Sequence, residues 1–507
     1  MDVATKLDQL ARWWPDRTAI IDDAGTWTFR QFHARILRWG NALNGLGLRQ
    51  GDRVALLLPD IREYLEVDYG TMAAGLVRVP TDPRLTRREL VGVLRHAGAR
   101  ALVTHERFAD KVEGLAAEVE GLEHVINMGG GAELSYDALL ENASERPLPA
   151  RDPGDLATLN FSGGTTGAPK AIMLTHRNLL AVAQNTIHGF EIPGDAVFLN
   201  VRPLWPIAQV ILMSHLFAGA TVVLGGRFDP EQAVARIAAS GATRTSLVPT
   251  QLVRWLDHLQ AHDPRLARLQ AVYVGGSRIP PAIFERALAC LGPRIGVLYG
   301  MTEAPVTCYL EPRRLDADVG TRSRLMQSVG RALSGYEVRI AGEDGTAAAG
   351  ASGEVQIRGD NVTPGYWKQE AASRALLRDG WLHTGDFGRL DERGNLYLVG
   401  RLNDIIRSGS STVMPKEVED VIASHPAVSE VAVIGLPDTE WGEAVTAFVV
   451  LKPGMAASEQ ELVDHCREHL AGYKKPRSFR FLSSLPRSHY GKVVRAQLIA
   501  EAESRGH

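Results

Sequence analysis

Six consecutive residues, Ser162, Gly163, Gly164, Thr165, Thr166 and Gly167, followed three positions later by Lys170, concentrate phosphate-binding chemistry in one short stretch. Glycines let backbone N–H groups turn toward a ligand with no Cβ in the way, and the hydroxyls add further donors. The lysine contributes a point charge, so the fitting guest is a polyphosphate. This is not the phosphate loop of the common NTPases, which needs Gly-Lys-Ser/Thr opening a helix. Here Pro169 precedes the lysine and Ala171 follows it. In isolation the cluster also fits a glycine- and threonine-rich surface hairpin. The apolar flanks at 157–161 and 171–174 predict two sheet strands joined by a tight turn.

Four further stretches join it: YGMTEA at 299–304, WLHTGD at 381–386, GRLNDII at 400–406 and LPRSHYGKVVR at 485–495. With SGGTTGAPK they resemble, in order and spacing, the adenylate-forming superfamily of acyl- and aryl-CoA synthetases, amino-acid adenylation domains and luciferases. The resemblance covers nearly the whole chain. It implies that ATP and a carboxylate give an acyl-adenylate and pyrophosphate, after which the acyl group passes to a thiol. Attack on the α-phosphorus needs neutralisation of two anions and little covalent help.

Carried over by resemblance, Ser162, Thr165, Thr166, Lys170 and the adjoining glycines hold the β- and γ-phosphates. Thr302 contacts the α-phosphate and Glu303 holds Mg²⁺, which favours one or two carboxylates plus phosphate oxygens. Tyr299, followed by Gly300, stacks on adenine beside Gly275, Gly276 and Ser277 of the VGGS turn. Asp386 accepts from the ribose hydroxyls, helped by Arg401, and Lys492 reaches the α-phosphate and the carboxylate oxygen. Singly, each has a plainer reading. Glu303 could be a helix-start carboxylate, Asp386 a turn residue, Arg401 a surface charge and Lys492 a solvated lysine. Their order across five motifs favours the functional one.

Three departures from the family pattern stand out. Where many members have Pro-Leu-Phe-His-x-x-Gly at the mouth of the acyl pocket, this chain has Pro203, Leu204, Trp205, Pro206, Ile207, Ala208 and Gln209. Ser-Gly-Gly-Glu-Asn after the hinge is replaced by Ser408, Gly409, Ser410, Ser411 and Thr412, altering a loop that lines the thiol tunnel in CoA-using relatives. The hinge position is Asn403, a residue that tolerates left-handed backbone angles. Conversely, Tyr473, Lys474, Lys475 and Pro476 resemble the segment that meets CoA phosphates. The pocket region contains Trp205, Gln209, Ser246 and Met301, a mostly apolar slot of modest size suited to an aromatic or medium acyl acid. The expected activity is adenylation of such an acid with transfer to CoA or a carrier-protein thiol. Two alternatives are an ATP-dependent diazotase activating nitrite for an aryl amine, and a non-catalytic nucleotide binder. The second has no use for Glu303 and Lys492.

Positioning these motifs requires a layered α/β fold. Thr28 and Gln31 form a capping box ahead of Phe32, Ile36, Trp39 and Leu43 at helical spacing, and Thr86 with Glu89 opens another helix. Buried strands at 53–58, 76–79 and 101–104 alternate with helices, as do later ones at 222–224, 245–248 and 271–274, which implies parallel, helix-covered sheet. Residues 380–401 alternate as in antiparallel sheet. The last hundred residues form a small α+β unit, with Val418, Val421 and Ile422 on one helix and Leu462, Val463, Cys466 and Leu470 on another. The expected division is 1–402, an AMP-binding domain of layered α/β subdomains plus a β-rich subdomain, and 403–507, a small mobile domain carrying Lys492.

At 507 residues the chain can hold several cores, and a net charge of -3 gives no sign of a nucleic-acid or membrane surface. Three scattered cysteines without metal spacing read as reduced thiols of a cytoplasmic protein. The N-terminus has no signal-peptide pattern, and the apolar stretch at 210–224 is too short to span a bilayer.

Overall fold

Helix Phe29–Gly45 starts at the reciprocal Thr28–Gln31 capping box, and helix Arg87–Ala97 at the Thr86–Glu89 box, so both signals fall where the sequence placed them. The computed structural model describes residues 1–130, 134–162, 170–205, 209–342, 345–409, 411–487 and 493–504. By internal packing, the described residues of Met1–Ser162, Pro169–Val338 and Ile357–Leu382 form one unit, and those of Arg339–Gln356 and His383–His507 a second.

Among its described residues, the first unit contains two sheets. One runs in the order His124–Met128, Ala99–His105, Arg53–Leu57, Val77–Pro80, Leu156–Ser162, Lys170–Thr175. All its pairs are parallel except the last, the antiparallel hairpin that frames the phosphate stretch. Along Arg53–Leu57, Val54 and Leu56 enter one buried cluster while Ala55 and Leu57 enter another. Alternate residues of a strand face opposite sides, so this sheet is covered on both faces, as a parallel sheet requires.

The other sheet places Ala304–Leu310, Ile295–Met301, Ala271–Gly275, Arg244–Leu247, Val197–Asn200, Thr221–Leu224 and Thr18–Asp22 side by side. From Ile295–Met301 to Thr18–Asp22 every pair is parallel, so the C-terminal ends of these strands share one edge. Ligands of open α/β sheets bind at that edge.

In the second unit, strands Val428–Asp438 and Gly442–Leu451 pair antiparallel, and Ser478–Phe481 adds in parallel. Helices Pro415–Ala423 and Glu459–His469 cover them, and Val418, Ile422, Leu462 and Cys466 share one core with Val433, Val445 and Phe479. This is the small α+β core the spacing predicts. Strands Trp381–Leu390 and Leu396–Arg401 are antiparallel, as the alternation predicts. No helix among the described residues is long and apolar enough to cross a membrane.

Candidate active site

In the first unit, Ser162 pairs with Lys170 across the hairpin, and residues 163–167, with their glycines and both threonines, lie outside the described residues. Lys170 is exposed at the start of its strand, its Nζ 4.8 Å from the Tyr366 ring centre. The Tyr366 hydroxyl donates a 2.9 Å hydrogen bond to Glu303 Oε1. Burial first, then the neighbouring carboxylate, pushes the Tyr366 phenol far above its usual range, so it stays a donor.

One segment, residues 360–367, fastens the hairpin to the YGMTE stretch. Asn178 donates to the carbonyls of Asp360 and Val362 at 2.7 and 2.9 Å. The Met173 N–H donates to Gly365 O and the Trp367 N–H to Ala171 O, while the Thr363 N–H donates to Glu303 O at 2.8 Å. Tyr366 and Thr363 touch Glu303 through contacts that sequence reasoning missed. The available signal was PGYW at 364–367, an extended turn with glycine at φ +137°.

Strand Ile295–Met301 runs into Ala304–Leu310 through Thr302 and Glu303, with Met301 paired to Ala304 and a register shift after Tyr299. Glu303 therefore sits in a β-hairpin turn rather than at a helix start, and it is only 9% exposed. Gly300 is required there: a Cβ would lie 2.5 Å from the Val306 nitrogen. Val306 itself has φ +47°, a left-handed angle that costs a β-branched residue energy and marks the turn as constrained. Tyr299 is buried, and Gly275 pairs with Leu298 beside it, so the VGGS turn and YGMTE share the sheet's C-terminal edge.

The predicted pocket residues divide. Ser246 is buried near the end of Arg244–Leu247 and accepts from Arg202 Nη1 at 3.3 Å. Met301 is half-buried at the same edge. Trp205 is buried, with the Arg84 guanidinium 5.0 Å from its ring centre. Gln209 opens helix Gln209–Phe217 and is buried near the Asp68 carboxyl, which is paired with Arg78, while its amide nitrogen makes no hydrogen bond among the described residues.

In the second unit, Asp386 and Arg401 face each other across the strand pair, Nε to Oδ1 at 2.7 Å, with Asp386 only 7% exposed. Arg401 also donates to Thr384 O at 3.3 Å, and the Asp386 N–H donates to Thr384 Oγ1 at 3.0 Å. The carboxylate is thereby fixed at its strand position. Asn403 lies in the single turn Leu402–Asp404. Lys492 lies outside the described residues, and Arg487 and Val493, on either side of it in sequence, form an isolated antiparallel bridge. Arg495, the last residue of that motif, is held by Asp404 at 3.1 Å and Glu419 at 2.8 Å. Gly409 takes φ +62° and its N–H donates to Trp441 O, while Ser410 lies outside the described residues. Lys474 pairs with Glu417, and that pairing raises its pKa.

Residues 7–367 match the family described as AMP-binding enzyme, and residues 417–492 match the AMP-binding enzyme C-terminal domain. A curated relative from Rhodococcus jostii (strain RHA1), a CoA ligase named for a methyl-dioxo-octahydro-indenyl propanoyl group, is 34% identical over 98% of each chain. ATP-bound MatB from Rhodopseudomonas palustris superposes with a TM-score of 0.89 at 30% identity, over 99% of each chain. The o-succinylbenzoate CoA synthetase (MenE) from Bacillus subtilis, in complex with its acyl-adenylate intermediate, superposes at 0.86 and 30% identity over 97% of each. Fold and motifs together define an AMP-forming ligase of the acyl-CoA synthetase kind. The chain belongs to the AMP-binding enzyme family. With CoA ligases as its relatives, neither the nitrite-activating nor the non-catalytic alternative is favoured.

Proposed function

We propose that this enzyme activates a small aromatic or medium acyl carboxylic acid with ATP and passes the acyl group to CoA. One carboxylate oxygen attacks the α-phosphorus and pyrophosphate leaves. The CoA thiolate then attacks the mixed-anhydride carbonyl and AMP leaves. The observation that carries this reading is the Lys170–Tyr366–Glu303 chain, which ties the phosphate hairpin to the YGMTE turn. In this reading Thr165, Thr166 and Lys170 hold the terminal phosphates, Thr302 the α-phosphate, and Asp386 with Arg401 the ribose. A single buried carboxylate with one oxygen already fixed fits Mg²⁺, which completes its shell with phosphate oxygens and waters. Glu303 would hold the ion there, and the ion would supply neutralisation of phosphate charge.

The division proposed for the catalytic cycle is at 402/403, with residues 403–507 rotating between the half-reactions. Packing alone groups residues 339–356 and 383–401 with the C-terminal part. That grouping describes compactness, and the rotation is a separate proposal. ATP and CoA as co-substrates suit a cytoplasmic protein with three free cysteines.

The direct test is pyrophosphate release over a panel of carboxylic acids, followed by AMP release with and without CoA. The expected result is acid-dependent pyrophosphate release and CoA-dependent AMP turnover. AMP formation that needs nitrite and ignores CoA would overturn the reading. A second measurement probes Glu303. Tyr366→Phe removes its hydroxyl donor and is expected to raise the KM for ATP at limiting Mg²⁺ about tenfold, the scale of one hydrogen bond to a charged group, with kcat less affected. Glu303→Gln is expected to cost more, about 100-fold in turnover. A Tyr366→Phe enzyme with wild-type ATP and Mg²⁺ dependence would remove Tyr366 from the site.

A further inference from the structure

We propose that Arg202 and Ser246 recognise a second carboxylate on the acid, distal to the one that is activated, so that the substrate is a dicarboxylic acid. This rests on the acid-activating function above and names its substrate class.

The argument begins with position. Strands Ile295–Met301, Ala271–Gly275, Arg244–Leu247 and Val197–Asn200 lie in that order and end at one edge of the sheet. The first leads into Thr302 and Glu303, the second into the VGGS turn, the third carries Ser246, and the fourth leads into Arg202. At about 4.8 Å per strand, Ser246 stands roughly 10 Å from the strand of Tyr299. By register Ser246 is level with Tyr273 and Gly296, so it and the Arg202 guanidinium that touches it stand two strands across from, and several residues short of, the Thr302–Glu303 turn. Asn200 Nδ2 donates to the Arg202 carbonyl at 2.7 Å and fixes the backbone at that strand end.

Charge makes the second step. Burial lowers the Arg202 pKa to about 10, which still leaves it protonated at neutral pH. Among the described residues the one hydrogen-bond partner of its side chain is the neutral Ser246 hydroxyl, and no charged neighbour influences it. The contrast with the other enclosed arginines is informative. Arg78 has Asp68 against it, and Arg244 donates to two backbone carbonyls and the Tyr273 hydroxyl. Arg202 has five N–H donors and little protein to give them to.

Arg202 is half-buried, so its charge is only partly screened by water, and such a cation without an anion at a ligand-binding edge is a candidate functional group. Arg202 also keeps accessible surface, so a small molecule can reach it. A guanidinium fork matches a carboxylate in two parallel hydrogen bonds, and the Ser246 hydroxyl offers a third contact. The slot that composition marks as apolar therefore has a cationic end.

The test pairs each dicarboxylic acid, aliphatic and aromatic, with its mono-amide, and follows pyrophosphate release at saturating ATP. The wild-type enzyme is expected to favour at least one diacid over its mono-amide by about 100-fold or more in kcat/KM. Arg202→Gln is expected to erase that ratio through the KM for the acid while leaving the KM for ATP unchanged. Arg202→Lys, which keeps the charge and loses the fork, is expected to retain part of it. Thermal melting of both variants separates loss of recognition from loss of fold, and the wild-type ratio stands without either. Wild-type preference for mono-acids or mono-amides overturns the proposal, as does a raised ATP KM in Arg202→Gln, which would assign the guanidinium to phosphate. If no acid releases pyrophosphate, the acid-activating function itself fails. If only mono-acids do, that function stands and the dicarboxylate site falls.

Discussion

Lys492→Ala is expected to slow pyrophosphate release by about a thousandfold or more, while chemically supplied acyl-adenylate still reacts with CoA at close to the wild-type rate. The first half-reaction brings a carboxylate against a phosphate, and a cation between them offsets the repulsion as charge builds in the transition state. Losing one such preorganised donor costs about 10²–10³ in rate, and a full charge sits at or above the upper end. The second half-reaction develops negative charge on the carbonyl oxygen, and in the proposed cycle the small domain has by then rotated and carried this lysine away. Asn403→Pro is expected to show the reverse pattern, because fixing φ at the hinge impairs the second conformation more than the first. Both variants are read with the same two assays, one for each half-reaction. Equal loss of both halves in Lys492→Ala would contradict an exchange of domain faces at one site.

Local signals were the most legible. A capping box is closed by residues three apart, so Thr28–Gln31 and Thr86–Glu89 could be placed to the residue. The hairpin around the phosphate stretch was legible because two apolar runs flank a turn. Long-range contacts were not. Tyr366 meets Glu303 across 63 residues, and nothing in the spacing of either announces the other. Glu303 in isolation suits a helix start, and only the pairing of Met301 with Ala304 shows the turn it occupies. Polarity also misleads where its partner is distant in sequence. Gln209 looks like a pocket residue by position, yet it is buried near the Asp68 carboxyl, and Arg202 before a proline looks like a surface charge, yet it is half-buried against Ser246.

The buried Asp68–Arg78 pair gives the largest expected effect on stability. Asp68, on helix Arg62–Ala73, is 0% exposed, and Arg78, on strand Val77–Pro80, is 2% exposed, with Nη1 2.5 Å from Oδ1. Removing two charges from water costs several kcal/mol per ion, and the pair holds only while each neutralises the other. Asp68→Asn leaves a guanidinium that cannot shed its proton, and it is expected to destabilise the first unit by about 3–5 kcal/mol at any pH. Arg78→Met differs in a diagnostic way. Burial already pushes the Asp68 carboxyl above its usual range, with Arg78 and then Gln209 opposing that shift. Without the arginine the opposition weakens, so the folded-state pKa rises further above the unfolded value. A raised folded-state pKa means the folded state binds the proton more tightly. Stability is therefore retained at low pH and lost as pH rises from the unfolded pKa through the folded one. Arg78→Met is expected to approach the Asp68→Asn penalty at pH 8 and to recover much of it near pH 5. Asp68→Leu combined with Arg78→Met removes both charges and is expected to lie within about 1–2 kcal/mol of wild type. Urea denaturation of the three variants at both pH values reads all of this. Single variants within 1 kcal/mol of wild type would show that the charges are hydrated in solution, and an Arg78→Met penalty independent of pH would show that Asp68 does not take up the proton.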